Sequence, residues 1–452
     1  TLVNPRCNAT YKQGTGTTTS PFNVNHRPVF TAFWDNSPKL PGQVVTFTAT
    51  SSDPDVVPTN DTVKLIVCST NSFSTSTNSC AATTLASSSL SASNPTATYT
   101  VPIPPQDQNY HSFGFVIDNH GHEASGGSQG TDSTLTVSNA APFVLGGNIT
   151  LNGGADLSLT QEATQTTGFT LSYTATDNNS CVNASAGNEI TDYKLTVYRS
   201  GIGTSTCNGT GANYNPNNCY DSAVATSTWN LTCTASSTSC TGNTDTTQIW
   251  NCSFPLWYVA DPTDGSATNT VHFSEDWKAA VTPIDDDGAS STLSQGTTGQ
   301  ELNSFLSMTL DTLAIPYGQL QPGDKTDPLV ASTTIRATGN VGLDELLSGQ
   351  SMCINYTSAV TCRNSATSTI DVTNQVYATS SVSYGSATSS GDILASTTQN
   401  ELEINVLKST ATSTQAGGDT FWGIKVPISI TLAGSYTGEN TFYGKVGEPA
   451  QW

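Results

Sequence analysis

The sequence predicts an all-β protein made of tandem Ig-like β-sandwich domains whose loops are stapled by disulfides. Its composition, its short alternating strands and a pattern that occurs twice all predict this fold class. The 452-residue chain is 35% hydrophobic and only 11% charged, and Ser and Thr fill roughly a quarter of it, well above average usage. Because Thr, Val and Tyr favour pleated, half-buried surfaces, we expect β-sandwiches with hydroxyls rather than charges at their outer positions.

Two distant stretches of the chain share one pattern. Each has a strand that ends in an acidic loop, then a second strand, then a third that ends in Asp-Asx-x-Gly. The first copy reads VTFTATSSDPD at 45–55, DTVKLIV at 61–67 and FVIDNHGHEAS at 115–125; the second reads LSYTATD at 171–177, DYKLTV at 192–197 and VTPIDDDGAS at 281–290. A duplicated unit of this size indicates a tandem array of domains. Such arrays are more often spacers, lattices or stalks than catalysts.

The length leaves room for about three domains. We predict an N-terminal arm over 1–26, an Ig-like domain over 27–142, a second over 143–300 and a C-terminal β-sandwich over 301–452. The arm either lies on the surface of its own domain or pairs as a strand with another subunit. Relative to the first copy, the second contains an insertion at about 200–257 that is rich in Cys and aromatic residues. Its rings either fill the core of a subdomain or stack on sugars.

Eleven cysteines with short intervals indicate an oxidising compartment. Disulfides are favoured over a zinc site, because no Cys-x-x-Cys pair occurs and the histidines lie far from the cysteines. The spacing predicts three local bridges, Cys68–Cys80, Cys207–Cys219 and Cys353–Cys362. Two further bridges of open connectivity are expected among Cys181, Cys233, Cys240 and Cys252, which leaves Cys7 for an intersubunit bond, a partner in its own domain or a free thiol.

The repeated strand and loop pattern resembles the tandem Ig-like, PKD-like and cadherin-like domains of bacterial surface proteins. The C-terminal region gives a more specific resemblance, carried by IPYGQLQPG at 315–323, TGNVGLD at 338–344, MC at 352–353, QVYATSS at 375–381 and WGI at 422–424. It resembles a β-sandwich domain of Ser/Thr-rich secreted proteins from candidate-phyla, Patescibacteria-type bacteria. The resemblance implies a surface location and transfers no catalytic residue. The acidic cadherin signatures Asp-Arg-Glu and Asp-x-Asn-Asp are absent.

Charge and hydropathy exclude several classes of partner. The net charge of −21 and the pI near 4.2 argue against nucleic-acid binding. The sequence contains no apolar run long enough for a transmembrane helix, and we interpret Thr1, which is not a Met, as a processed N-terminus. We therefore expect an extracellular protein of the cell surface.

Acidic residues at the strand ends predict calcium as the one candidate cofactor, because Ca²⁺ takes six to eight oxygen ligands. The alternative is that Asp and Asn cap the turns by bonding their own backbone. The candidate ligands are Asp285, Asp286 and Asp287 with Asp177 in the second domain, and Asp53, Asp55 and Asp118 in the first.

Asn-x-Ser/Thr motifs mark potential glycan acceptors, although a chain of this composition contains roughly nine or ten by chance. They lie at Asn8, Asn60, Asn148, Asn178, Asn183, Asn208, Asn230, Asn251 and Asn355.

No motif indicates an enzyme. The nearest carboxylate pair, Glu275 and Asp276, consists of neighbours that would face opposite ways on a strand, and we expect Trp277 to pack inward. We therefore expect a non-enzymatic structural glycoprotein, a self-assembling subunit of a cell-surface layer (S-layer) or filament. The alternative is a monomeric adhesin or a stalk that binds surface glycans.

Overall fold

The computed structural model describes residues 24–55, 60–185, 187–207, 214–224, 229–266, 270–358, 362–363 and 365–452. It contains three β-sandwiches, which confirms the predicted all-β fold class. The chain forms two compact units, Thr1–Asn139 and Ala140–Trp452. The predicted boundary after residue 142 lies close to this division, whereas the one after residue 300 lies inside the second unit. Within the described ranges, no helix is long and apolar enough to cross a membrane.

The first sandwich pairs a sheet of order β1-β2-β7 with one of order β10-β9-β3-β6. Alternation in β2 explains its position, because Val45, Phe47 and Ala49 are buried while Thr46 and Thr48 face outward. Its strands are β1 Val29–Asp35, β2 Val44–Ser52, β3 Val63–Cys68, β4 Phe73–Ser74, β5 Ser79–Cys80, β6 Thr84–Ser87, β7 Thr96–Thr100, β8 Asn109–Tyr110, β9 Phe113–Asp118, β10 Thr131–Asp132 and β11 Leu135–Thr136.

The second sandwich has sheets of order β12-β13-β17-β16 and β15-β14-β18-β19. This corresponds to the ABED sheet of the immunoglobulin fold and to its CFG sheet with one further strand, β15, beside the C-equivalent β14. The strand equivalent to β2 is β13, in which Phe169, Leu171 and Tyr173 are buried. The strands are β12 Phe143–Leu151, β13 Thr166–Thr176, β14 Ile190–Arg199, β15 Cys219–Asp221, β16 Thr232–Ala235, β17 Thr247–Trp257, β18 Trp277–Asp285 and β19 Ser294–Gln295.

The third sandwich has sheets of order β20-β21-β27-β25 and β26-β22-β28. A single α-helix lies within its described residues, α1 Tyr384–Ser390, which begins at the N-cap Ser383 and ends at Gly391 with φ +84°. The strands are β20 Met308–Leu310, β21 Ala331–Ala337, β22 Leu343–Gly349, β23 Met352–Cys353, β24 Thr369–Ile370, β25 Gln375–Ala378, β26 Asn400–Val406, β27 Gly417–Ile424 and β28 Asn440–Val446.

The described residues of segment 200–257 are built into the second sandwich rather than forming a separate insertion, contrary to the sequence-based expectation. They supply β15, β16 and β17 of the second sandwich, and β17 alternates buried Trp250, Cys252 and Phe254 with exposed Asn251 and Ser253. The aromatic residues of this segment belong to the core rather than to a sugar-binding surface. Those in the core or packed against it are Tyr214, Tyr220, Trp229, Trp250, Trp257 and Tyr258.

Within the described residues, five disulfides staple the loops, and the three predicted local bridges are confirmed. The other four cysteines form two bridges. Cys233–Cys252 joins neighbouring strands of one sheet, and Cys181–Cys240 joins two loops. The bridges are Cys68–Cys80, Cys207–Cys219, Cys353–Cys362, Cys181–Cys240 and Cys233–Cys252. Cys7 lies outside the described residues.

The second and third sandwiches, which share one compact unit, are joined by a buried cluster of charges. Lys408 of the third sandwich places its Nζ 3.0 Å from Asp261 Oδ1 and 2.8 Å from Asn217 Oδ1. Arg199 donates from Nε to Asp261 Oδ2 at 3.1 Å and pairs through Nη1 with Glu275. We call these five residues the joint cluster. The charges of its two cations and two carboxylates balance, so the cluster buries little net charge.

Hydrogen bonds on either side of the joint cluster extend the contact. Tyr258 donates its hydroxyl to the Ala411 carbonyl at 2.9 Å, and Asn217 donates its amide to the Thr410 carbonyl at 2.9 Å. Trp277 is fully buried, as expected, and donates Nε1 to the Asp261 carbonyl at 2.9 Å. The two sandwiches therefore meet through polar contacts with defined directions.

Candidate metal centres at the acidic ends of the sandwiches

Three buried carboxylates meet at one end of the second sandwich. Asp177 follows β13, Glu189 precedes β14 and Asp285 ends β18, and each offers an oxygen within 4.8 Å of the others. They are 0%, 1% and 2% exposed, respectively. We call this group the Asp177 cluster. Burying like charges this close together costs free energy unless hydrogen-bond donors, a proton or a cation compensate them, and carboxylate oxygens are ligands that suit a hard cation.

Backbone N–H groups orient these carboxylates. Asp177 Oδ1 accepts from the N–H of Asn179 at 2.8 Å, and Asp285 Oδ1 accepts from the N–H of Ala289 at 2.6 Å. The side chain of Asn179 in turn accepts from the N–H of Ala140 at 2.5 Å. The Asp177 cluster therefore lies where the chain enters the second unit.

The acidic run 285–287 does not converge on one point. Asp285 is buried in the Asp177 cluster, whereas Asp286 and Asp287 are exposed in the following turn. Asp286 accepts instead from the side-chain amide of Asn183. Glu189, which the sequence analysis did not select, supplies the third carboxylate. Glu189 precedes a strand, whereas the predicted ligands were the acidic residues that follow strands, so its position did not indicate a ligand.

A second acidic group lies at the corresponding end of the first sandwich. Asp53, Asp55 and Asp61 offer oxygens within 4.8 Å of one another. Burial raises the pKa of Asp53, whereas backbone and side-chain hydrogen bonds from His26 lower the pKa of Asp55. His120 Nδ1 lies 3.2 Å from Asp61 Oδ2. Two histidines, His26 and His120, therefore contact the carboxylates of this group.

Asp118 does not join that group, because a turn and the end of the arm occupy its carboxylate. Its Oδ1 accepts from the N–H of His120 at 2.9 Å and of His122 at 2.7 Å, and its Oδ2 accepts from Asn25 Nδ2 at 2.6 Å. The backbone N–H of His26 donates to Asp55 at 2.6 Å. Residues 25 and 26 of the predicted arm are therefore fixed to their own domain, while 1–23 lie outside the described residues.

The two Asp-Asx-x-Gly loops form the same turn. Asp118 N–H donates to the His122 carbonyl at 3.0 Å, and Asp285 N–H donates to the Ala289 carbonyl at 3.1 Å. Each turn needs a glycine at positive φ, with values of +88° at 121 and +81° at 288. The repeated sequence pattern therefore encodes a repeated backbone structure, in which Asp118 Oδ1 and Asp285 Oδ1 accept from equivalent N–H groups.

A third acidic group, in the C-terminal sandwich, was not anticipated. Its carboxylates come from Asp344, Glu401, Glu403 and Glu448. Asp344 is fully buried, but the N–H of Asn405 donates to its Oδ1 at 2.8 Å and Gln451 donates to its Oδ2 at 3.3 Å. Burial raises the pKa of Asp344 above its usual value, and the bonds from Asn405 and Gln451 lower it only in part.

Most of the described glycosylation motifs are accessible. The acceptor asparagine is exposed at Asn60, Asn148, Asn230, Asn251 and Asn355. It is partly buried at Asn178 and Asn183. Asn183 is also engaged with Asp286. Asn8 and Asn208 lie outside the described residues.

Comparison with known proteins identifies no family. No family model matches the chain, and no curated protein matches it. Among solved structures, a marsupial T cell receptor is 10% identical with a TM-score of 0.17, covering 91% of this chain and 99% of its own. Fibronectin(III)-like modules of CbhA from Clostridium thermocellum are 11% identical with a TM-score of 0.16, covering 60% and 95%. These scores are too low to carry an argument about this chain.

Proposed function

We propose that this chain is a non-enzymatic extracellular structural protein that assembles with copies of itself into a cell-surface layer or filament. The joint cluster is the observation that carries the proposal. A lattice subunit must hold its domains at a fixed angle, and directional buried contacts between two sandwiches provide that stiffness better than a bare linker. Disulfide-stapled loops suit the same extracellular setting.

An uncharged sheet edge supports assembly. Strand β7, Thr96–Thr100, lies at the edge of its sheet and carries no charged residue or proline. Its alternate residues Thr96, Thr98 and Thr100 are exposed. Edge strands of this kind accept a foreign strand through backbone hydrogen bonds, and a lysine commonly prevents it. We therefore assign β7 as a contact between subunits.

Electron microscopy of the purified protein tests the proposal. Ordered polymers are expected for a subunit, whereas dispersed single particles would contradict it. The variant Thr98→Lys should block polymers, because it charges the edge strand. Thr170→Lys is the matched control, since Thr170 is exposed on β13, which is a central strand. Equal polymerisation by both variants would remove β7 from the contact while leaving the function intact.

Calcium at the Asp177 cluster forms part of the proposal. Carboxylate oxygens are hard ligands that suit Ca²⁺, and the cluster lies where the chain enters the second unit, bonded to Ala140 through Asn179. An ion there would fix the entering strand to three loops at once. It would thus stiffen the unit at its start, as the joint cluster does further along the chain.

A second candidate function is a monomeric adhesin or stalk that binds glycans. It is favoured by a cavity of about 470 Å³ in the third sandwich, which falls within the usual size range of small-molecule sites. Single particles in the microscope together with specific retention of a glycan would favour this function over assembly.

A further inference from the structure

The cavity of the third sandwich lies between β28 and the segment that follows β20. Leu313 and Ala314 of that segment form its rim and are exposed, whereas Gln375 at its base is 1% exposed. Tyr436 and Phe442 also line the cavity. The site therefore runs from the surface to a buried polar group, which is the form expected of a ligand cavity rather than a packing defect.

Amide and hydroxyl groups furnish the polar part of the lining, and they are held in place. Tyr317 donates its hydroxyl to Gln375 Oε1 at 3.0 Å, and Asn440 Nδ2 donates to the same oxygen at 3.1 Å. Gln375 Nε2 donates to the Gln350 carbonyl at 3.2 Å. Because Gln375 is locked by three bonds, Tyr317 and Asn440 keep fixed orientations without a ligand. Preorganised groups of this kind reduce the entropy that binding costs.

Aromatic rings supply the apolar part of the lining. Phe442 packs edge-on against Trp422 with ring centroids 5.7 Å apart, and Trp422 is fully buried. Tyr436 is anchored by its hydroxyl, which donates to the Leu432 carbonyl at 2.9 Å. Both rings therefore have defined positions. A flat ring beside amide groups matches a ligand that has apolar faces and a rim of hydroxyls.

The charge of the lining excludes ionic ligands. Among the described residues, Glu439 is the one charged side chain of the cavity, and it accepts from the Tyr356 hydroxyl at 3.0 Å. No described lysine, arginine or histidine lines the cavity to bind a phosphate, sulfate or carboxylate. A chain of net charge −21 repels anions further. A lone, hydrogen-bonded carboxylate is also a poor site for a metal.

Space continues beyond the first cavity. A neighbouring cavity of about 440 Å³ is lined by Gly318, Leu320 and Val426, and it shares Tyr317, Met352 and Tyr436 with the first. The shared residues therefore mark where the two cavities adjoin. A ligand of linked rings could occupy both, with one ring in each cavity.

We propose that this paired cavity binds a neutral saccharide of two or more sugar rings. The proposal rests on the second candidate function, to which it gives a site and a ligand class. Asn440 and Tyr317 offer hydrogen bonds to sugar hydroxyls, and Tyr436 and Phe442 contact the apolar faces of the rings. The absence of cationic groups among the described lining residues selects against uronic and sialic acids.

Binding of the full chain to an array of neutral and acidic glycans tests the proposal, with titration calorimetry on any glycan retained. Neutral glycans are expected to bind, and acidic ones of the same linkage are not. The variant Tyr436→Ala should weaken binding by about tenfold through loss of one ring contact. Ala314→Trp, which fills the exposed rim without touching the core, should weaken it as strongly. The control Tyr443→Ala removes an aromatic ring that is 47% exposed on the same strand as Phe442.

Several outcomes would overturn the proposal: no neutral glycan bound, a preference for acidic glycans, or unchanged affinity in both cavity variants. Circular dichroism on Tyr436→Ala shows whether its fold is kept, and Ala314→Trp decides the matter if it is not. Electron microscopy of the same samples separates the functions. Polymers without glycan binding would end this proposal and leave assembly standing, whereas glycan binding by single particles would do the reverse.

Discussion

Lys408 Nζ lies 3.0 Å from Asp261 Oδ1, and this contact joins two sandwiches whose strands belong to separate sheets. Lys408 is 5% exposed and Asp261 is 8% exposed. Burial lowers the pKa of the Lys408 ammonium, and the nearby Asp261 carboxylate raises it in part. A lysine buried this fully is retained only with partners for its charge, so the contact depends on both sandwiches being correctly placed.

Removing this lysine should uncouple the two sandwiches. In Lys408→Met, Asp261 keeps Arg199 but loses its other cation, and breaking one side of a buried pair costs about 3 kcal/mol. Calorimetry of the wild type should show residues 140–452 unfolding in one transition. We expect that transition to split in the variant, with the third sandwich unfolding first.

The control for this change is Lys445→Met. Lys445 pairs with Glu401, but the side chains are 42% and 31% exposed, and such surface pairs contribute between zero and about 1 kcal/mol. Little change is expected there. A single unshifted transition in Lys408→Met would mean that the joint cluster does not couple the sandwiches.

A buried glutamate should make stability depend on pH. Glu345 is fully buried in the third sandwich, and its Oε2 accepts from the Thr420 hydroxyl while Oε1 has no partner among the described residues. Burial raises the pKa of Glu345 to about 7, and the Thr420 bond lowers it in part. The folded state therefore binds this proton more tightly than the unfolded state, whose carboxyl has a pKa of about 4.3.

The sign of the effect follows from this difference. The stabilisation that the folded state gains by binding the Glu345 proton is fully present below about pH 4.3. It is lost as the pH rises through about 7. Glu345→Gln keeps the shape and removes the charge, so above pH 7 the variant should be more stable than the wild type by on the order of 3 kcal/mol. Denaturant unfolding at pH 5 and pH 8 measures this, with the exposed Glu301→Gln as control. A pH-independent difference between Glu345→Gln and wild type would contradict it.

Alternation and loop spacing allowed much of the fold to be predicted. Strands such as β13 alternate cleanly, and Cys68 and Cys80 close a short hairpin loop, so both are local features of the sequence. Strand β17 alternates as well, but three of its outward positions carry Thr247, Asn251 and Ser253, residue types that also fill the surrounding loops. Because strand and loops share this polarity, the alternation of β17 was not recognised in the sequence, and residues 200–257 resembled an insertion.

The sequence predicted those candidate site residues that lie at strand ends, but not the residues that only the packing of the chain brings together. Asp177 and Asp285 each end a strand at the same end of one sandwich, so their proximity could be expected. Glu189 joins them only through the packing of β14. Lys408 and Asp261 meet across two sandwiches, and no spacing rule connects a loop lysine with an aspartate so distant in sequence.

The disulfides should stabilise the chain in order of the loops they close. Cys181–Cys240 spans 59 residues and Cys353–Cys362 spans 9. In the chain-entropy description, these loops correspond to about 4 and about 2.5 kcal/mol. Paired Cys→Ser replacement of each bridge, followed by denaturant unfolding, measures both. An equal loss from the two replacements would show that loop length does not determine the contribution.

Removing divalent cations should destabilise the second unit if calcium occupies the Asp177 cluster. A ligand that binds only the folded state raises its stability by mass action, by about 2.7 kcal/mol at a hundredfold excess over Kd. Chelation with EDTA should therefore lower the melting temperature, and added Ca²⁺ should restore it. In Asp285→Asn the response should disappear, because a buried ligand of the cluster is lost. The control Asp287→Asn changes an exposed residue of the same acidic run and should respond like the wild type. An unchanged melting temperature with EDTA, together with no calcium by elemental analysis, would show that the Asp177 cluster holds no calcium.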